Sequence, residues 1–172
     1  MIPLSSAMSS GLTWTKLPRH RGYELRQNGE IVGSLSRPSF WSSKYLAETQ
    51  SGQWTFRRGG CFGTGAQILD STSQQPIATF KSKWGNGGAL AFADGQTFHL
   101  QCKGWWRPVW SVISETGETV LHLRVREKTV EVPDAASVPD GRLALLILFT
   151  RYRVLQTEED AASAATVAVI AS

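Results

Sequence analysis

The segment RLALLILFTRYRVL, residues 142–155, constrains the fold more than any other part of the sequence. It contains an unbroken apolar run, residues 143–149, followed by two arginines. Leucine and alanine favour helix, and a helix over about residues 141–156 is apolar on nearly every side. Fourteen helical residues span about 21 Å, which is less than a bilayer core. The segment therefore predicts a helix enclosed by protein, with Leu146 or Ile147 at the centre of the core.

The rest of the chain has the rhythm of a β meander, because short runs rich in Val, Ile, Thr, Phe and Trp alternate with turn signals. Asn28-Gly29 joins YELRQ to EIVGSL and accepts the positive φ angles of a type I′ turn. Asp94-Gly95 is expected to join ALAFA to QTFHLQCK in the same way. The pattern indicates about ten to twelve strands.

Three stretches repeat the order of strand, polar turn and strand: YELRQNGEIVGSL, AQILDSTSQQPIATF and WSVISETGETVLHL. Closure into a barrel or a sandwich removes exposed strand edges, and of the two a barrel also supplies neighbours on all sides of an apolar helix. We therefore expect a mainly β protein, a closed antiparallel β-barrel of about 12 strands that encloses a C-terminal apolar helix.

The chain has 172 residues, which is enough for one domain with a sizeable core. We expect a flexible lead-in over residues 1–15 without the features of a signal peptide, and one barrel domain over residues 16–172. Asp140 is the expected N-cap of the helix. The tail after the acidic residues 158–160 is Ala-rich, and two alternatives stay open for it: a short second helix, or a final strand over residues 166–170.

The order of these elements resembles the tubby C-terminal-like superfamily, which includes LURP-one-related proteins and phospholipid scramblases. The likeness rests on the three hairpin stretches and on RLALLILFTRYRVL, and it covers about residues 20–156. The resemblance implies a twelve-stranded barrel around a hydrophobic helix, and a role for some members at membrane lipids. The acidic calcium-binding segment of scramblases has no counterpart beyond Asp134 and Asp140, so scramblase activity does not carry over. No phosphoinositide-binding residues of tubby proteins map onto this chain.

The residues that could carry chemistry lack the patterns that chemistry requires. GGCFGTG, residues 59–65, lacks the lysine and the following helix of a nucleotide-binding loop. His20, His99 and His122 have no metal-ligand spacing with Cys61 or Cys102, and no local signature marks a nucleophile. We expect no catalytic residues, no metal and no cofactor, and two free thiols in a reducing, cytoplasmic environment.

Basic and aromatic residues give the only candidate site. Alternation places Lys81, Lys83 and Lys103 on the outer face, and with Arg107 they form a candidate patch for anionic lipid. The neighbouring Trp105, Trp106 and Trp110 are expected to pack in the core beside a strand start, with a binding platform as the alternative. Because the net charge is only +4, no nucleic-acid partner is expected.

The leading hypothesis is a non-enzymatic β-barrel module that binds anionic lipid head groups or a protein partner. Peripheral membrane contact without a transmembrane span is consistent with it. Two alternatives stay open, an enzyme such as a hydrolase with an unrecognised active site, and a purely structural interaction domain. A concave pocket with converging titratable groups would favour the enzyme, whereas a basic face would favour binding.

Overall fold

The computed structural model describes residues 1, 4, 11–18, 22–39, 42–59, 65–83, 87–133 and 138–170, with side chains up to residue 166 in the last segment. Twelve antiparallel strands form a closed barrel in which each strand pairs with its neighbours in sequence and the first pairs with the last. The strands are β1 Leu12–Lys16, β2 Gly22–Gln27, β3 Glu30–Ser36, β4 Lys44–Thr49, β5 Gly52–Gly59, β6 Gly65–Asp70, β7 Pro76–Ser82, β8 Gly88–Phe92, β9 Thr97–Lys103, β10 Val109–Ser114, β11 Thr119–Arg124 and β12 Thr129–Glu131.

The three hairpin stretches of the sequence are β2–β3, β6–β7 and β10–β11, as predicted. Asn28 and Gly29 have φ angles of 48° and 87°, as a type I′ turn requires. The second turn differs from the prediction. Around Asp94 only Gly95 has a positive φ, and four residues separate β8 from β9. Within this connection the Phe92 amide donates a hydrogen bond to the Gln96 carbonyl. The connection is a longer loop and not a two-residue turn.

The lead-in predicted for residues 1–15 is too long. Residues Leu12 to Thr15 belong to β1, which closes the barrel by pairing with both β12 and β2. Leu12 and Trp14 point into the core and are buried, whereas Thr13 and Thr15 alternate outward. β1 has 5 residues, and so short an alternation did not indicate a strand in the sequence.

One helix, α1, runs from Asp140 to Ile170. It is about 46 Å long, nearly twice the predicted length of residues 141–156. The tail is therefore neither a separate helix nor a strand but a continuation of α1, because its alanines are strong helix formers and no Gly or Pro follows Gly141. Asp140 lies in the first turn and is not the N-cap, since the Pro139 carbonyl accepts the first helical bond from the Leu143 amide.

The apolar part of α1 fills the barrel. Leu146, Ile147, Leu148 and Phe149 are fully buried, as expected for the predicted central helix. Phe149 makes an edge contact with Phe56 of β5, with ring centroids 5.5 Å apart. A helix that is apolar all round is stable here because the surrounding sheet covers every side of it.

The barrel has two mouths. We call entry mouth the end with loops 28–29, 50–51, 71–75, 93–96 and 115–118, where α1 begins. We call exit mouth the opposite end, with loops 104–108 and 125–128, where α1 leaves the barrel. At the entry mouth Arg142 contacts Asp94 at 2.7 Å. Beyond about residue 157, α1 projects from the exit mouth and its side chains are largely exposed. Among the described helical residues, no stretch is long and apolar enough to cross a membrane.

Candidate functional site

The two mouths differ in charge. In the described residues, the exit mouth carries the basic side chains Lys16, Arg37, Lys44, Arg57, Arg58, Lys83, Lys103, Arg107, Arg124, Arg126 and Lys128. Its acidic residues are Glu127, Glu131, which pairs with Arg124 at 2.8 Å, and, on the projecting helix, Glu158, Glu159 and Asp160. The entry mouth carries the acidic residues Glu30, Glu48, Asp70, Asp94, Glu115, Glu118 and Asp140, with the bases Arg26 and Arg142. Although the net charge is only +4, the charges are distributed unevenly between the two mouths. The excess of basic residues at the exit mouth attracts anions.

Two tryptophans project from the exit mouth on the loop between β9 and β10. Trp105 is 91% exposed and Trp106 is 68% exposed, and their rings pack edge to face with centroids 5.7 Å apart. Gly104 begins the loop with a φ of 82°, and a Cβ there would lie 2.9 Å from the Arg107 carbonyl oxygen. This tight turn directs both rings away from the barrel. The expectation of core packing is wrong for Trp105 and Trp106, and it is confirmed for Trp110, which is 2% exposed.

The basic residues singled out from the sequence are all exposed, as predicted, and three of the four lie at the exit mouth. Lys103 and Arg107 flank the tryptophan pair directly. Lys83 follows β7, and its amide bonds the Gly87 carbonyl at the start of β8. Lys81 is the last but one residue of β7 and lies on the outer face, two residues before Lys83. Two strand residues correspond to about 7 Å.

Two basic residues of this surface were missed by the sequence interpretation. Arg126 and Lys128 are exposed on the loop between β11 and β12. This loop lies beside the tryptophan loop, because the Val125 amide bonds the Pro108 carbonyl at 3.2 Å. In an antiparallel meander every second connection lies at the same end of the sheet, and this rule could have placed the loop of Arg126 and Lys128 beside the tryptophan loop. We call basic tryptophan surface the set Lys83, Lys103, Trp105, Trp106, Arg107, Arg126 and Lys128.

On the other side of the exit mouth, the projecting helix is held to the barrel rim. Glu159 accepts hydrogen bonds from Arg37 at 2.9 Å and from the Tyr45 hydroxyl at 2.8 Å. Arg58 contacts Asp160 at 2.6 Å. Burial, reinforced by the hydrogen bond to Glu159, raises the pKa of Tyr45 far above its ordinary value. The Glu159 and Asp160 carboxylates are thus paired with basic residues of the rim, whereas Glu158 is exposed on the projecting helix.

Two arginines lie inside the exit half of the barrel. Arg153 contacts Gln156 and the Ser82 hydroxyl, stacks on Phe80 at 4.5 Å, and has its pKa lowered by burial. Arg151 stacks on Tyr23, with 4.4 Å between the guanidinium carbon and the ring centroid. Among the described residues, neither guanidinium forms an ion pair with a carboxylate. They add uncompensated positive charge to the exit half.

In the described part of the chain, the groups that could be read as catalytic are a serine and histidine pair on the outer wall and an ion pair in the entry cavity. The Ser111 hydroxyl lies 2.8 Å from Nδ1 of His122 on the outer wall. The cavities at the two mouths include neither residue, and the backbone of Ser111 is engaged with β9 and β11. The entry cavity, about 380 Å³, has as its charged groups Asp94 and Arg142, which are paired with each other. The pKa of Asp94 is lowered by its hydrogen bond from Arg142.

The histidines and cysteines that could bind a metal do not come together in the described part of the chain. Among the described side chains, no group of three or more His, Cys, Asp and Glu is placed to hold a metal ion. Cys102 is half-buried, and burial raises the pKa of its thiol. His20, Cys61 and most of the glycine segment 59–65 lie outside the described residues.

The chain was compared with models of protein families, with curated proteins and with solved structures, and none of the three comparisons gave a match. The function has to be inferred from the geometry of the molecule itself.

Proposed function

We propose that this protein is a non-catalytic module that binds anionic membrane surfaces peripherally through its exit mouth. The observation that carries the proposal is the tryptophan pair, 91% and 68% exposed, placed between Lys103 and Arg107. Exposing two large aromatic rings to water costs solvation free energy that the fold could have avoided by burying them. Tryptophan is the side chain most typical of the membrane interface, where its ring meets the acyl region and its N–H meets water.

The charge around the pair supports the same partner. Arg126 and Lys128 lie on the neighbouring hairpin, with Glu127 between them, and Lys83 lies on the other side, so basic residues outnumber acidic ones around the rings. Basic residues close to an anionic leaflet contribute about 1 kcal/mol each. The acidic entry mouth would be repelled by the same surface, which orients the barrel with its exit mouth toward the lipid. The alternative partner is a protein with an acidic groove that would bind these cations. Binding to vesicles that contain no protein distinguishes a membrane partner from this alternative.

The architecture supports placing the chain with the tubby C-terminal-like proteins, since a closed twelve-stranded barrel around a C-terminal helix is what that resemblance implies. We extend the proposal to the cytoplasmic leaflet, because the anionic lipids that attract basic surfaces are concentrated there.

Vesicle sedimentation tests the proposal. We expect binding to phosphatidylcholine vesicles that contain phosphatidylserine, and loss of that binding as salt shortens the Debye length from about 10 Å to about 3 Å. Replacing Trp105 and Trp106 by alanine should weaken binding at least tenfold, because burying about 60 Å² of each ring contributes roughly 1.5 kcal/mol. The control is Leu46→Ala, which removes a 44% exposed apolar side chain from the wall of β4 and should leave binding unchanged.

A second pair of variants separates the mouth from the wall. Lys83→Glu and Lys81→Glu reverse the same charge on the same strand segment, but only Lys83 lies at the exit mouth. Lys83→Glu should weaken binding by about tenfold, and Lys81→Glu by less, because its charge lies about 7 Å further from the lipid, which is most of a Debye length. Binding that is independent of salt and of the tryptophans would refute the proposal.

A further inference from the structure

The last part of α1 extends beyond the rim of the barrel. The contacts between the helix and the rim are those of Glu159 with Arg37 and of Asp160 with Arg58. After them we call residues 161–170 the helix end, which extends for about 15 Å along the axis. Its described side chains, those of residues 161–166, are all exposed. Helical residues that pack on nothing are marginally stable in water, so an unpacked end of this length points to a partner that covers it.

The chemistry of α1 changes at the rim. Charged residues occupy positions 158–160, whereas the helix end contains no charged residue and is made of Ala, Val and Ile apart from Ser163 and Thr166. The hydroxyls of Ser163 and Thr166 donate hydrogen bonds to the carbonyls four residues earlier in the helix, at 2.9 and 3.0 Å. Both side-chain donors are therefore satisfied inside the helix. They add no unpaired donor when the segment leaves water, and this is what a lipid environment requires.

The helix end lies at the same mouth as the exposed rings of Trp105 and Trp106. When this mouth faces an anionic leaflet, a helix end that projects about 15 Å beyond the rim meets the leaflet together with the tryptophan loop. At the level of the rim, the Glu159 and Asp160 carboxylates keep their arginine partners. Among the described residues, Glu158 is the carboxylate of this group that has no ion pair, so the charge that opposes the contact is small.

We propose that the helix end enters the interface of the leaflet beside the tryptophan pair and anchors the protein there. This inference rests on the proposed function. The hydrocarbon core of a bilayer is about 30 Å thick, so a segment of about 15 Å stays within one leaflet. An oblique course, about 5–10 Å deep, keeps the unpaired carbonyls at the end of the helix near the head groups.

The alternative occupant is the helix end of a second copy of this chain. A helical face about 15 Å long and about 10 Å wide is much smaller than the roughly 800 Å² per partner of a stable protein interface. The available area therefore favours lipid over a second copy.

Leucine substitutions test the anchor as a gain of affinity. Ala164→Leu plus Ala165→Leu preserves the helix, because leucine is a good helix former and both alanines are exposed. Binding to phosphatidylcholine vesicles that contain phosphatidylserine should become at least about tenfold tighter, since each added carbon that leaves water favours partitioning. The matched control is Ala91→Leu plus Ala93→Leu, the same change at two exposed alanines near the entry mouth, and it should bind like the wild type.

A fluorescent label measures the depth of the helix end. Both natural cysteines are first replaced, by Cys61→Ser and Cys102→Ser, and one new cysteine is labelled with nitrobenzoxadiazole. On vesicles, a label at Ala165→Cys should become brighter and be quenched by lipids with brominated acyl chains. A label at Ala93→Cys, which is exposed near the entry mouth, should remain in water and unquenched.

The outcomes separate this inference from the proposed function. An unquenched label at position 165 on vesicle-bound protein, or a leucine variant with wild-type affinity, overturns the anchor and leaves the proposed function standing. Unchanged affinity of Trp105→Ala plus Trp106→Ala, with the label at position 165 still quenched, keeps the anchor and refutes the role of the tryptophans. A leucine variant that forms dimers in solution without gaining affinity for vesicles overturns the anchor and assigns the helix end to a second copy. A wild-type protein that does not sediment with vesicles overturns both proposals.

Discussion

Replacing Leu146 by alanine tests the central feature of the fold, a helix packed inside a barrel. Leu146 is 0% exposed and lies in the middle of the buried run of α1. The change removes Cγ and both methyl groups, which at about 0.8 kcal/mol per carbon contribute roughly 2.4 kcal/mol of transfer free energy. The closed sheet cannot collapse onto the space, so a cavity of about 80 Å³ adds roughly 2 kcal/mol. The free energy of unfolding should fall by about 4 kcal/mol.

Denaturant and thermal unfolding measure this loss, which corresponds to a decrease of about 10 °C in the midpoint for a chain of this length. Leu46→Ala is the matched control, since it makes the same chemical change at a side chain that is 44% exposed on β4. Its cost should stay below about 1 kcal/mol. A Leu146→Ala protein no less stable than the control would show that α1 does not lie in the barrel.

Two further predictions concern ionisation and strand packing. The pKa values of Tyr45 and Tyr152 are raised chiefly by burial, so the folded state holds both phenol protons more tightly than the unfolded chain does. Their contribution to the free energy of unfolding should be fully present below about pH 10 and be lost as the pH rises further. Phenolate absorbance should show late titration that Tyr152→Phe reduces, and ionisation of both residues near pH 10 in the folded protein would contradict this. Gly88→Ala should cost about 3 kcal/mol, because its Cβ would lie 2.3 Å from the Lys81 carbonyl oxygen and 2.4 Å from Cζ of Phe80. Gly29→Ala has open space and only an unfavourable φ of 87°, so it should cost about 1 kcal/mol, and equal costs in chemical denaturation would argue against the β7–β8 register.

Much of the fold could be predicted because its determinants are local. Asn28-Gly29 sets a hairpin by the φ angles that two residues accept, and the run around Leu146 excludes any exposed position for its helix. The end of α1 could not be predicted in this way. Glu159 and Asp160 look like solvent-exposed residues after a core helix, yet their partners are Arg37 and Arg58, 122 and 102 residues away in the sequence. Such long-range ion pairs have no local signature.

The candidate site could be predicted in part, because some of its features depend on local sequence and others depend on which loops meet in the fold. The outward direction of Lys83 and Lys103 follows from strand alternation, whereas the grouping of Lys103 with Arg126 depends on which loops meet at one mouth. The tryptophans show the limit most clearly. Trp106 and Trp110 are four residues apart in one aromatic cluster, but one precedes β10 on a tight loop and the other has inward parity on that strand. Composition does not show which of the two tryptophans is exposed and which is buried. The register of β10 determines this.

The passage of α1 through the barrel also sets an order of folding. All twelve strands precede the helix in the chain, and the closing pair β1 and β12 brings residues 12 and 130 together. During synthesis the inner face of the sheet, with Phe56, Phe80 and Phe98, has no partner until residues 143–156 have left the ribosome. Productive closure must therefore wait for the helix, and the emerging sheet is exposed to aggregation for nearly the whole time of its synthesis. We therefore expect α1 to be needed for closure of the barrel, and a chain that ends before residue 143 to aggregate.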